Sequence, residues 1–395
     1  MDLTLGEVVP GNNQPFTRLR PTLLRFLERG WVRERSRKKK AEDTLKIMGI
    51  VNKPALGIGS TMLIGLASVL SLAIQGQERV QPLQLSQTIT LPGISGKFDH
   101  FAIDSAGHRL FAAATGNHSV EVIDLRTAKV VQSISGLVKP HGLAFVAETG
   151  SLYLADGALA ELRVYKGNPF ALQGTIKLSD DTDDMVYDEA SHLLFVGHGG
   201  SDAANPARIA IVDTEHFALV ADLPTATHPE GLEIDPPSHR VFANIADSKE
   251  VAVISTASKE IVAHWKLTKA ADNVPLAFDA EHQLLLVACR TPGTLIALDA
   301  ASGREVSTAA SAGGADDLFY DQDLRRAYLI SGAGEVDSYQ VDAAKSLHSL
   351  AVLHTAPGAK TALFVPSQKL LYVGVPGTGR HDAEIRAYAT ISAAR

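Results

Sequence analysis

Apolar and polar positions repeat along most of the chain. Seven segments align: DHFAIDSAGHRLFAA from Asp99, HGLAFVAETGSLYLA from His141, DDMVYDEASHLLFVG from Asp183, EGLEIDPPSHRVFAN from Glu230, VPLAFDAEHQLLLVA from Val274, DDLFYDQDLRRAYLI from Asp316 and KTALFVPSQKLLYVG from Lys360. Each holds a short apolar run, a polar turn and a second apolar run, the pattern of two strands joined by a hairpin. A third strand follows, such as VEVID, RIAIVD or LIALD, and then a more polar fourth, such as KVVQSIS or LQGTIKLS. A strand that is apolar on one side only fits the outer edge of a sheet, where the other side meets water.

Successive segments start 42, 42, 47, 44, 42 and 44 residues apart. This is the period of a four-stranded, WD40-like blade, and it is longer than the helical repeats of about 34 residues. The expected fold class is all-β, a seven-bladed β-propeller of four-stranded blades. The seventh unit ends at its third strand, EIRAYATI, and the strand that it lacks is available ahead of the first unit in LQLSQTITLPG, from Leu83 to Gly93. That N-terminal strand is expected to complete the last blade and close the ring, which removes exposed sheet edges.

Composition places this domain in the cell. Residues 1–53 hold 12 of the 37 Lys and Arg and 6 of the 44 Asp and Glu, so this basic head carries +6 and the remainder −13 of the net −7. The next stretch, PALGIGSTMLIGLASVLSLAIQ, has no charged residue. Residues 54–76 therefore read as a signal peptide or membrane anchor, and the basic residues before them place the propeller, residues 77–395, outside the cytoplasm. Periplasmic, secreted and membrane-anchored forms all fit this order. The run MGIVNK looks like the start of a complete signal, which makes Met48 a candidate true start and residues 1–47 a mis-assigned extension. Cys289 is the single cysteine, so no intrachain disulfide forms, and its flanks LLLVACR mark it as a small buried hydrophobe. The negative balance of the propeller opposes phosphate contacts, and no nucleic-acid partner is expected.

The fourth unit, HPEGLEIDPPSHRVFANIADSKEVAVISTASKEIVAHWKL, resembles the YVTN repeat of the YncE-like bacterial seven-bladed propellers. The matching features are PEG ahead of an apolar strand, the Asp-Pro turn, RVFAN in place of YVYVTN, and VAVIS ahead of a Ser/Thr turn. The resemblance covers all seven repeats, although the fifth, sixth and seventh lack PxG. It implies the fold, while proteins that look like this serve as surface-layer components, ligand binders, lactonases or lyases. A quinone-dependent dehydrogenase is disfavoured, because its tryptophan-rich blades are missing from a chain with two Trp.

The repeat separates structural aspartates from candidate ligands. Asp104, Asp188, Asp235, Asp279 and Asp321 end a first strand, and Asp124, Asp213, Asp299 and Asp342 end a third, where a short acceptor caps the next turn. The other face of the ring collects polar residues without a turn role. Ahead of the first strands stand Asp99, His100, His141, Asp183, Asp184, His228, Glu230, Asp316 and Asp317, and after the second strands stand His118, Asp156, His198, Asp247 and Arg290. From these, the candidate ligand-binding residues are Asp99, His100, His141, Asp183, Asp184, His198, His228, Glu230, Arg290, Asp316 and Asp317, around the mouth of the central channel. The pairs Asp183–Asp184 and Asp316–Asp317 lie three blades apart, nearly opposite at about 51° per blade, and are the expected metal ligands. Facing carboxylates repel unless water, a cation or a cationic ligand screens them. Oxygen donors suit Ca²⁺ or Mg²⁺, and the interspersed histidines also admit a transition metal.

Three functions stay open on this reading. One is a structural cell-surface propeller with a solvated acidic funnel and no small ligand. The second is a binding or scaffold module for a small molecule, a cation or a protein. The third is a metal-assisted lactonase or lyase with His141, His198 or His228 as general base. No GxSxG elbow, HExxH, CxxC or EF-hand loop occurs, so binding is favoured over catalysis and no catalytic residue is assigned. The insertion GHGGSDAANPAR, which lengthens the third unit, is expected beside the paired aspartates as a specificity loop.

Overall fold

Strands β1 (Leu83–Leu91) to β28 (Ala383–Thr390) form seven four-stranded antiparallel sheets in a computed structural model that describes residues 81–392. The basic head, the signal or anchor segment and the Met48 start lie outside the described residues. Among the described residues, no helix is long and apolar enough to cross a membrane.

The first blade is β2 (Phe101–Asp104), β3 (Arg109–Ala114), β4 (Ser119–Asp124) and β5 (Lys129–Ile134), and the next five blades each take the following four strands in chain order. Their innermost strands are β6 (Pro140–Val146), β10 (Met185–Asp188), β14 (Pro229–Asp235), β18 (Ala271–Asp279) and β22 (Ala315–Asp321). The seventh blade runs from β26 (Ala362–Val365) through β27 (Leu370–Val375) and β28 to β1. The N-terminal strand thus closes the ring as the repeat predicts. Neighbouring innermost strands touch all the way round, ending with β26 against β2.

The core is divided rather than central. Seven apolar clusters occupy the seven interfaces between blades, because each sheet is apolar on both faces and buries them against its two neighbours. Ile89 and Leu91 of β1 are part of the cluster between the last and first blades, together with Phe98, Leu110 and Ile385. On the outermost strands the burial alternates, as in β17 (Glu260–Lys266), whose residues are exposed and half-buried in turn. Turn aspartates accept the N–H groups of the next turn as expected, Asp104 that of Gly107 at 2.8 Å and Asp213 those of Glu215 and His216 at 2.9 and 3.1 Å; Asp235 is the exception, because Pro236 and Pro237 follow it, and it accepts from Arg240 Nη2 at 2.6 Å instead. Cys289 is buried between the fourth and fifth blades, where burial pushes its thiol up to about 12.

Two features of the repeat gain a physical cause. Asn244, which ends RVFAN, is fully buried; its Nδ2 donates to the Val274 carbonyl at 2.9 Å and its Oδ1 accepts from Asn273 Nδ2 at 2.7 Å. The asparagine therefore ties the fourth blade to the innermost strand of the fifth. In PHG and PEG the glycines stand where the backbone of the next blade leaves no room for a Cβ. A Cβ on Gly142 would lie 2.1 Å from the Asp183 carbonyl oxygen, and one on Gly231 2.5 Å from that of Val274.

Candidate functional site

Bulges at the start of the innermost strands build the site. Asp99 N–H donates to Ala113 O at 2.8 Å while Ala113 N–H donates to His100 O at 3.1 Å, so two consecutive residues oppose one. Asp183 and Asp184 oppose Gly197 in the same way, at 2.9 and 3.0 Å. The pairing also slips between Pro140 and Leu143, between Pro229 and Leu232, and between Ala315 and Asp317. A bulge interrupts the in–out alternation and re-aims side chains. Adjacent residues such as Asp99 and His100, Asp183 and Asp184, and Asp316 and Asp317 therefore line one cavity together.

That cavity, of about 540 Å³, receives an ionisable side chain from every blade. The sides differ. Toward the fifth to seventh blades, Asp316 is neutralised by Arg290 Nη2 at 2.7 Å and Lys360 Nζ at 2.5 Å. Asp317 accepts the Ala362 N–H at 2.6 Å, and burial pushes its carboxyl up to about 7 against the pull of His100. Burial would lower the Lys360 ammonium, but Asp316 and Asp99 hold it above its ordinary value.

Toward the first three blades, two imidazoles alternate with two carboxylates. His100 Nε2 stands 3.7 Å from both Asp99 Oδ1 and Asp183 Oδ1. His141 Nε2 lies 3.7 Å from Asp99 Oδ2, and His141 Nδ1 lies 3.2 Å from Asp183 Oδ1. None of these contacts has hydrogen-bond geometry: both nitrogens of His141, which is only 3% exposed, and Oδ1 of Asp183 are buried without a partner. Burial pushes the Asp183 carboxyl up, but the imidazoles of His100 and His141 overcome this and hold it well below the usual carboxylate range. Burial raises the Asp99 carboxyl although His100 opposes it. Burial would lower His100, yet Asp184, Asp183 and Asp99 around it hold it well above the usual imidazole range. Asp184 accepts the N–H groups of Met185 and Leu232, both at 2.8 Å, and burial raises its carboxyl too.

Nine of the eleven candidate residues line the cavity: Asp99, His100, His141, Asp183, Asp184, Glu230, Arg290, Asp316 and Asp317. Burial raises the Glu230 carboxyl despite the opposing charge of His228. His198 and His228 lie elsewhere. His198 Nδ1 accepts the Ser179 N–H at 3.1 Å and its Nε2 faces Asp222 Oδ1 at 3.0 Å, which fixes it inside the third blade. His228 Nδ1 donates to the Gly199 carbonyl at 2.6 Å and anchors the insertion, which itself adds no residue to the cavity. Asp183, Asp184, Asp316 and Asp317 do not converge as one ligand set, since Asp316 is ion-paired and Asp184 and Asp317 accept backbone N–H groups. Of the other positions after second strands, His118 donates to the Val138 carbonyl at 2.6 Å and Asp156 accepts the N–H groups of Val138 and Lys139 at 2.8 and 2.9 Å.

The sequence reading missed Lys97, Lys139, Asp181, Glu233 and Lys360, all of which line the cavity. Lys360 heads the seventh aligned segment, as Asp99, Asp183 and Asp316 head theirs, so the alignment did carry its signal. Lys139 and Asp181 pair at 2.7 Å across two blades.

No family model matches the chain, and no curated protein matches it. Among solved structures it is similar to a chain of the mitotic checkpoint complex, with 11% identity and a TM-score of 0.67 over 87% of this chain and 98% of that one. A chain of U3-55K is similar at 10% identity and a TM-score of 0.64, over 76% and 97%. A chain of Kuenenia stuttgartiensis hydrazine synthase is similar at 16% identity and 0.62, over 72% and 95%. The chain is a seven-bladed β-propeller. At such identities the likeness is one of fold, and the site must speak for function.

Proposed function

We propose that the chain is an extracytoplasmic binding propeller of the YVTN type, which takes a cation or a small ligand with a cationic group at its channel mouth. The observation that carries this reading is the charge of the cavity. Eight carboxyl groups line it, Asp99, Asp181, Asp183, Asp184, Glu230, Glu233, Asp316 and Asp317, against five groups on the positive side, Lys97, Lys139, Arg290, Lys360 and His100, whose neighbouring aspartates favour its charged form. A concave site lined mainly by one sign of charge concentrates ligands of the other sign. The YVTN assignment draws support from Asn244, Gly142 and Gly231, whose places in the repeat have the roles described above. The location rests on the basic head and the uncharged segment that follows it.

The test is a thermal-shift screen of the purified full chain against divalent cations, amines and amino acids, repeated with Glu230→Gln. A hit that stabilises the wild type and loses its effect in the variant supports the reading. Absence of any hit, or hits indifferent to the mouth, refutes it.

One observation favours catalysis as a second reading. Burial leaves the carboxyls of Asp317 and Glu233, each pushed up to about 7, able to give or take a proton near neutral pH within the same cavity. A lactone and lyase substrate screen with and without chelator separates a metal-assisted lactonase or lyase from a binder.

A further inference from the structure

We infer that Asp99, His100, His141 and Asp183 bind one divalent first-row transition-metal ion. This rests on the reading of the channel mouth as a binding site and gives one part of it a specific occupant.

The four side chains come from three successive blades: Asp99, His100 and Asp183 each offer one ligand atom within 4.8 Å of the other two, and His141 adjoins them through Nδ1, 3.2 Å from Asp183 Oδ1, or through Nε2, 3.7 Å from Asp99 Oδ2. Metal–ligand bonds of about 2.1 Å put adjacent donors at about 3.0 Å in an octahedron and about 3.4 Å in a tetrahedron, so side-chain movements of up to about 1.5 Å bring Asp99, His100 and Asp183 onto one ion, with His141 joining through one of its two nitrogens. The same spacings are poorly explained as internal bonding. Three of the four neighbouring contacts are too long for hydrogen bonds, and the fourth lacks the geometry of one.

His141 is the second, independent observation. A nearly fully buried imidazole with neither nitrogen hydrogen-bonded is rare in native proteins. Both nitrogens face carboxylates of this cluster, and a metal ion at its centre gives one of them a partner. The donors also select the ion: two imidazoles with two carboxylates suit Zn²⁺, Fe²⁺, Co²⁺ or Ni²⁺, whereas Ca²⁺ and Mg²⁺ call for oxygen alone. Asp181 lies within reach of His141 and Asp183 but is held by Lys139 Nζ at 2.7 Å, which leaves it outside the ligand set.

The experiment is calorimetric titration of the chelator-stripped full chain with Zn²⁺, Co²⁺ and Ca²⁺, with the ligand-field absorption of bound Co²⁺ as a second readout. One equivalent of Zn²⁺ and of Co²⁺ is expected, with Ca²⁺ weaker by at least about 100-fold. Asp183→Asn and His141→Gln should each weaken Zn²⁺ by at least about 100-fold, since even losing a ligand's outer partner costs about 10–100-fold. His100→Gln alters a more exposed ring and serves if the buried substitutions do not fold. Asp213→Asn, in the exposed Asp213–Glu215–His216 group, should leave Zn²⁺ binding unchanged. No Zn²⁺ binding, tighter Ca²⁺ than Zn²⁺ binding, or an affinity indifferent to the mouth variants overturns the inference. If the thermal-shift screen still finds an organic ligand lost in Glu230→Gln, only the metal falls; if it does not, the binding reading falls with it.

Discussion

Glu233 offers a sharp test of the electrostatics of the channel, because it is a carboxyl set in the middle of innermost strand β14 where the alternation would admit an apolar residue. It is half-buried, and its Oε1 accepts the Ile234 N–H at 2.8 Å. Burial pushes its carboxyl from an ordinary 4.5 up to about 7, only partly offset by that N–H, with Asp184 adding to the rise. The folded state therefore favours the protonated form. Stability from this group is fully present below about 4.5, falls as pH rises toward about 7, and is then level. At about 1.4 kcal/mol per pKa unit the whole shift is worth at most about 3.5 kcal/mol. Channel water reaches the side chain and screens it, so about 1–2 kcal/mol is expected between pH 5 and pH 8. Glu233→Gln keeps the acceptor for Ile234 and removes the ionisation. Urea unfolding of wild type and variant at both pH values gives the difference directly, with effects of pH on the rest of the molecule cancelling. The variant should gain about 1–2 kcal/mol on the wild type in going from pH 5 to pH 8. An equal difference at both values, or a loss at pH 8, refutes the burial argument.

Three further outcomes follow from the fold. Asn244→Ala leaves the Val274 carbonyl without its side-chain donor and Asn273 Nδ2 with the Glu250 carbonyl alone, and should cost about 2–3 kcal/mol in denaturant unfolding; a loss under about 0.5 kcal/mol would show that the clasp between the fourth and fifth blades is ornamental. Ile89→Ala on the closing strand should cost about 2–4 kcal/mol in the same single transition, because that side chain is 1% exposed in the core between the last and first blades; a separate early transition would contradict closure as one unit. The Cys289 thiol, buried and pushed up to about 12, should resist a thiol-specific chromogenic reagent until the chain unfolds, and fast labelling of the native protein would count against its burial.

The fold was legible because a propeller repeats its chemistry. Strand pattern, period and the missing fourth strand of the last unit led to seven blades and to closure by β1, and the turn aspartates recur for a reason that one repeat already shows. The site was legible only in outline, because it depends on how the repeats differ. Bulges decide which of two neighbouring side chains faces the axis, and no residue type announces a bulge; this is why Asp99 and His100 share the cavity while His228, one blade from Asp183, turns to the Gly199 carbonyl. Asp183 and Asp316 look equivalent in the alignment. Lys360 and Arg290, distant in sequence, neutralise Asp316 and leave Asp183 to two imidazoles. Pairing across the ring is a property of the closed structure, and single-chain periodicity has no access to it.

Whether the mouth of this propeller holds one transition-metal ion at the Asp99–Asp183 side is read most directly from anomalous diffraction of crystals of the full chain grown with Zn²⁺, recorded at the zinc edge. One strong peak bounded by Asp99, His100, His141 and Asp183 is expected. No peak in the channel, or a peak confined to the exposed Asp213–His216 turn, would contradict it.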